Sequence, residues 1–101
     1  MFDTLGVVGL GLIGASMAID ARKRGLAKTI VGFDKEEKAL RAALDSGVID
    51  AYGELKSASM CDLVIVATPV FSIPSTIKKL FAVMKPHSII MDVGSVKGAI
   101  I

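Results

Sequence analysis

Val7-Val8-Gly9-Leu10-Gly11-Leu12-Ile13-Gly14 decides how the rest of the chain is read. A short apolar run, Thr4 to Val8, ends in three glycines spaced G-x-G-x-x-G, and a helix-forming stretch follows at once. Strand, glycines, helix is the context in which that spacing carries meaning. Gly9 permits a tight strand-to-helix turn, Gly11 lets a pyrophosphate lie against the backbone, and Gly14 lets the helix press onto the strand. The first helical amides, at Leu12, Ile13 and Gly14, have no partner within the helix. They would face a phosphate with the positive end of the helix dipole behind them. The spacing alone is weak, since glycine-rich turns also serve chain reversal. Asp34 strengthens it. It lies twenty residues past Gly14, ending a second apolar run, Thr29 to Phe33, where a ribose-binding carboxylate belongs. A dinucleotide-binding site is expected.

The 101 residues suffice for one small domain and fall short of the two halves of a full dinucleotide fold. The 52% hydrophobic content suits a parallel sheet buried on both faces, and implies apolar surface covered by further protein. A net charge of +2 is too small to argue for nucleic acid or a membrane surface. The basic cluster Arg22, Lys23, Arg24 and Lys28 falls where the first helix should end, and cations are favoured there. Cys61 is the only cysteine, which leaves no internal disulfide or cysteine metal cluster, and no metal is expected. It reads as a small buried hydrophobe beside a strand. The longest uncharged stretch, Thr4 to Ile19, is shorter than a membrane span. The first strand starts so near Met1 that no signal or transit peptide is expected, and the expected location is cytoplasmic.

Apolar periodicity then alternates. The first helix is expected from Leu12 to Arg24, with Gly14, Ala18, Ala21 and Gly25 as a small-residue stripe against the sheet. Strand two is expected over Thr29 to Asp34. A helix from Glu36 to Ser46 should follow, burying Ala39, Leu40, Ala43 and Leu44 and ended by Gly47. Val48 to Ala51 reads as a weak third strand and Leu55 to Met60 as one or two helical turns. Leu63 to Thr68 is a buried parallel-type strand stopped by Pro69. Ser72 and Pro74 start a helix that runs to Lys85, and Ser88 to Asp92 is strand five. Gly94-Ser95 opens the last segment.

This alternation predicts an α/β fold, a Rossmann-type doubly wound parallel sheet of about five strands in the order 3-2-1-4-5. A ligand crevice should lie at the strand C-termini. Gly9, Asp34, Thr68-Pro69-Val70 and Gly94-Ser95 each follow one of those ends, so four loops converge on one edge.

Asp34 should accept both ribose hydroxyls of an adenosine; the structural alternative is an N-cap, since Asp34 and Glu37 have capping-box spacing. A carboxylate here also disfavours the 2′-phosphate of NADP. Like charges at ~4 Å cost on the order of 1–4 kcal/mol, though Lys35 could soften this, so NAD is expected. Thr68, Pro69 and Val70 would run along the cofactor near the second ribose and nicotinamide, unless Pro69 only terminates the strand. Ser95 is either an N-cap or a hydroxyl placed where a hydroxylated substrate meets the nicotinamide. His87, the only histidine, precedes strand five and should sit roughly 15 Å from the crevice, beyond hydrogen-bond reach. It reads as a turn residue.

Val8-Gly9-Leu10-Gly11-Leu12-Ile13-Gly14-Ala15-Ser16, Gly32-Phe33-Asp34, Ala67-Thr68-Pro69-Val70 and Asp92-Val93-Gly94-Ser95-Val96-Lys97-Gly98 resemble the prephenate/arogenate dehydrogenase family of tyrosine biosynthesis. The resemblance covers the whole chain. It implies oxidative decarboxylation of prephenate to 4-hydroxyphenylpyruvate, or of arogenate, with hydride passing from the hydroxyl-bearing ring carbon to C4 of NAD. It also implies a base histidine on a strand beyond Gly-Ser-x-Lys-Gly, oriented by the serine that matches Ser95. Substrate-carboxylate arginines would come from a helical C-terminal domain that also forms a homodimer. The stretch 1–101 is thus expected to be the cofactor domain of such an enzyme, truncated, and inactive by itself. Other readings are a stand-alone NAD-responsive binding module without catalysis, or the cofactor domain of another NAD-linked hydroxyacid-type dehydrogenase.

Overall fold

The computed structural model describes residues 2–69 and 72–92. Five parallel strands, β1 (Phe2–Val8), β2 (Ala27–Phe33), β3 (Ala51–Tyr52), β4 (Leu63–Val66) and β5 (Ile89–Asp92), form one sheet in the expected order β3-β2-β1-β4-β5. Three helices, α1 (Leu12–Lys23), α2 (Glu37–Asp45) and α3 (Ile73–Val83), and a 3-10 segment over Leu55–Met60 connect them.

The central strands β1, β2 and β4 are buried because both faces are covered, whereas β3 and β5 at the sheet edges stay largely exposed. Leu5, Val7, Ile30, Leu63 and Ile65 pack under Ala18 and Ala21 of α1 and Leu40 and Ala43 of α2. On the opposite face Val8, Val31, Phe33, Val64 and Val66 pack against Ile73 and Leu80 of α3 and Ala58 of the 3-10 segment. Ile30 and Leu80 are both 0% exposed, and each such burial contributes about 1.5–3 kcal/mol. Cys61 lies in the second cluster, fully buried as expected, and burial pushes its thiol up to about 11.

Helices α1 and α2 end in the same way. Gly25 (φ 64°) and Gly47 (φ 80°) take the left-handed conformation that a side chain disfavours. The following amides, of Leu26 and Val48, reach back to the carbonyls of Ala21 and Ala43 at 3.0 and 2.9 Å. That second closure moves β3. Val48 and Ile49 are drawn under α2, Ile49 to 2% exposed, so pairing starts only at Ala51 rather than at Val48. Leu44, expected in the core, is 39% exposed on the outer face of α2.

At the N-terminal edge of the sheet, carboxylates replace missing ladder partners. Asp62 accepts the amides of Asp3 and Thr4, both at 3.0 Å, and the Lys85 ammonium at 3.0 Å. Asp50 accepts the Ile30 amide at 2.8 Å and the Arg22 guanidinium at 3.0 Å. Arg24 pairs with Asp20 and Lys28 with Asp3. The basic cluster is therefore largely spent on structural pairs. The opposite edge is left open to the loops. Val8 is level with Phe33 and Val66, and Val66 with Asp92, so four strands end in one row.

Candidate functional site

A cleft of about 1700 Å³ runs along that row. The turn after β1 forms its floor. Gly9 has φ 92°, donates its amide to the Phe33 carbonyl at 2.7 Å, and lies so close to β4 that a Cβ would stand 2.9 Å from the Ala67 backbone. The Ala67 amide returns a 2.7 Å bond to the Val8 carbonyl. Gly11 is the opposite case: a Cβ there would meet nothing within 4 Å, because the residue faces the open cleft. Gly14 is buried beneath the turn, and a Cβ would strike the Gly9 carbonyl and approach Ala67 Cβ at 3.3 Å. Its lack of a side chain seats the helix on the turn and on the β4 loop, a more local contact than the helix-on-strand packing expected.

Gly11 caps α1 with backbone alone, and no side chain bonds the first amides. The helix's first turn is acid-free, and Leu12 and Ile13 are 86% and 57% exposed at the cleft. This end of α1 presents unsatisfied N–H groups and partial positive charge to the cleft.

Asp34 sits directly beyond β2. Its Oδ2 accepts the Leu10 amide at 2.7 Å and its Oδ1 accepts the Glu36 amide at 2.9 Å. Both bonds hold the carboxylate plane, yet an ionised carboxylate has about four acceptor sites, so about half remain for a ligand. The N-cap of α2 is Glu36, not Asp34, because Asp34 is turned toward the glycine turn instead. Lys35 lines the cleft beside it with no ion-pair partner among the described residues.

Thr68 and Pro69 line the cleft at the end of β4. Thr68 Oγ1 is buried with no hydrogen-bond partner among the described residues, a costly state for a hydroxyl. The Pro69 carbonyl accepts the Ser72 amide at 2.8 Å and turns the chain into α3. Val70 and the Gly94-Ser95 segment lie outside the described residues. His87 is exposed, with φ 68°, in the turn before β5. It borders a separate hollow of about 260 Å³ with Met84 and Pro86, away from the cleft, as its position in the chain implied.

Two walls escaped the sequence reading. Ser72, Ser75, Thr76 and Lys79 line the cleft from one face of α3. Their i, i+3, i+4, i+7 spacing was legible, as the polar complement of the buried Ile73 and Leu80. The Ser75 and Thr76 hydroxyls donate to the Ser72 carbonyl at 3.1 and 2.9 Å, which leaves each hydroxyl oxygen as an acceptor. Tyr52 at the end of β3, with Gly53 and Glu54 after it, forms the far end, and nothing in their local sequence marked them. Among the described residues no cluster of His, Cys, Asp or Glu could hold a metal ion, and no helix is long and apolar enough to cross a membrane.

A family profile described as "Prephenate dehydrogenase, nucleotide-binding domain" matches residues 17–101, beginning just past the glycine turn. Prephenate dehydrogenase of Bacillus subtilis (strain 168) is 35% identical over 104 residues, covering 100% of this chain and 28% of the relative. The crystal structure of Synechocystis arogenate dehydrogenase superposes with a TM-score of 0.84 at 34% identity, over 91% of this chain and 33% of that one. Prephenate dehydrogenase from A. aeolicus, solved with hydroxyphenyl propionate and NAD+, gives a TM-score of 0.84 at 26% identity, over 91% and 33%. The chain therefore spans about a third or less of the length of the relatives it matches.

Proposed function

The chain belongs to the prephenate dehydrogenase nucleotide-binding domain family, and we propose that it binds NAD for an oxidoreductase acting on prephenate or arogenate. The observation that carries this is the Asp34 carboxylate. It is fixed by two amides, faces the cleft, and keeps acceptor sites for the two hydroxyls of an adenosine ribose. The open side of Gly11 and the free amides of Leu12, Ile13 and Gly14 suit the pyrophosphate. Gly9 and Gly14 shape that turn. Thr68 Oγ1, without a partner among the described residues, suits a hydroxyl or amide of the nicotinamide half, with Pro69 and Val70 continuing the contact. These residues fit NAD, which when bound supplies the hydride acceptor. A 2′-phosphate would meet Asp34, Glu36 and Glu37, so NADP should bind more weakly.

In this reading residues 1–101 are the dinucleotide-binding domain. A helical C-terminal domain supplies the base, the substrate-carboxylate ligands and the homodimer interface. Ser95 orients the base or the substrate hydroxyl. The enzyme is cytoplasmic, with a small-molecule substrate. Calorimetric titration of the chain with NAD and NADP tests the cofactor assignment. Tighter NAD binding supports it, and equal or tighter NADP binding would remove the role given to Asp34.

A further inference from the structure

We propose that Glu37 sets nucleotide preference by holding Arg41, the arginine placed to receive a 2′-phosphate, away from the cleft. The inference rests on the nucleotide reading above. Glu37 opens α2 and lines the cleft next to Asp34, Lys35 and Glu36. One of its oxygens, Oε2, accepts both Nε of Arg41 at 3.1 Å and Nη2 at 2.9 Å. Tyr52 lines the same end of the cleft from β3, and its nearness, after that of Glu37, raises the pKa of this guanidinium. Arg41 is thus bound to a cleft-lining side chain while contributing nothing to the cleft wall itself.

The charge pattern at this wall follows. Asp34, Glu36 and Glu37 present carboxylates, and Lys35 is the one cation of the wall with no ion-pair partner among the described residues. A 2′-phosphate brings further negative charge, and in dinucleotide folds a nearby arginine accommodates it. The planar guanidinium fork matches phosphate in a way an ammonium does not. In this chain the fork is already satisfied by Glu37. Neutralising Glu37 would therefore remove one repulsive charge and release a phosphate-binding group together. Its cost to the fold is small, because both side chains are exposed and the pair is an ordinary i, i+4 contact on a helix surface.

The full chain, its Glu37→Gln and Arg41→Ala variants and the double variant are titrated calorimetrically with NAD and with NADP, with melting temperatures measured alongside. Glu37→Gln should tighten NADP binding about tenfold, through relief of repulsion together with the released arginine, and leave NAD within about twofold. In the Arg41→Ala background the same substitution should gain about half as much, because the exposed pair it releases is worth about a factor of two. An equal gain in both backgrounds would mean relief of repulsion alone and would overturn the masked arginine. An unchanged NADP affinity in Glu37→Gln, at wild-type melting temperature, would overturn the proposal too. A wild-type chain that binds neither nucleotide would overturn the nucleotide reading itself, and this one with it.

Discussion

The Leu10 amide donates to the Asp34 carboxylate at 2.7 Å across a separation of 24 residues. One bond thereby couples the glycine turn after β1 to the acidic residue after β2, the two features from which the fold was read. It aims the carboxylate over the turn and holds it there before any ligand arrives, which lowers the cost of ordering on binding.

Asp34→Ser should weaken NAD binding and narrow the gap between NAD and NADP. Hydrogen bonds to a charged group are worth about 1.5–3 kcal/mol, so the loss in NAD affinity should be at least about tenfold. NADP should lose less, because the repulsion of its 2′-phosphate goes with the carboxylate. Paired titrations of both nucleotides measure the ratio, and a ratio equal to wild type would place the ribose elsewhere.

Gly14→Ala and Gly11→Ala should separate fold from ligand. At Gly14 the new methyl strikes the Gly9 carbonyl with Ala67 close behind, so stability should drop by about 1–3 kcal/mol. At Gly11 the methyl enters open space and only the helix cap is affected, at up to about 1 kcal/mol. Nucleotide affinity should nevertheless fall sharply in Gly11→Ala, because that space is where the pyrophosphate lies. Thermal melts and nucleotide titrations of both variants read the contrast.

The strand order was legible because buried apolar runs alternated with helical stretches, and parallel connections leave few topologies. The position of Asp34 was legible because only its distance from the glycines mattered. Long-range packing was not. Nothing near Gly14 in sequence announces Ala67, its neighbour from β4. The capping-box spacing of Asp34 and Glu37 pointed to a helix cap, yet the Leu10 amide draws Asp34 away and Glu36 takes the cap. The Ser72–Lys79 stripe on α3 is written in the sequence as a polar i, i+3, i+4, i+7 face, but such a face is the ordinary solvent side of an amphipathic helix, and nothing local marks it as a cleft wall.

Acid should loosen the N-terminal edge of the sheet. Lys85 beside Asp62, with the Thr4 and Asp3 amides, holds that carboxyl below its ordinary value. At Asp50 partial burial pushes upward, but the Ile30 amide and Arg22 outweigh it and the net shift is also downward. A depressed carboxyl stabilises the fold above its unfolded value, about 3.9, and that stability is lost as pH falls through the lower folded value. Asp62→Asn should therefore melt earlier at pH 7 and lose less on going from pH 4 to lower pH than wild type. Identical acid limbs in the two proteins would remove Asp62 from this role.

In the full-length enzyme, Ser95→Ala should lower kcat at least about tenfold, or 1.4 kcal/mol in the barrier, with little change in NAD affinity. His87→Ala should leave kcat unchanged, because His87 lies in the turn before β5 at the edge away from the cleft. A lower melting temperature with normal turnover in Ser95→Ala would make Ser95 a helix cap only. A large loss of kcat in His87→Ala would move the chemistry to the other edge.

The central claim is the place where the nucleotide sits, and amide chemical-shift perturbation of the isotopically labelled chain titrated with NAD measures it directly. A site at the strand C-termini requires the largest saturable shifts at Gly11, Leu12, Ile13 and Gly14, at Asp34, and at Thr68, with Lys85, His87 and Ser88 unmoved. Saturable shifts centred on the hollow beside His87, or none at the glycine turn, would contradict it.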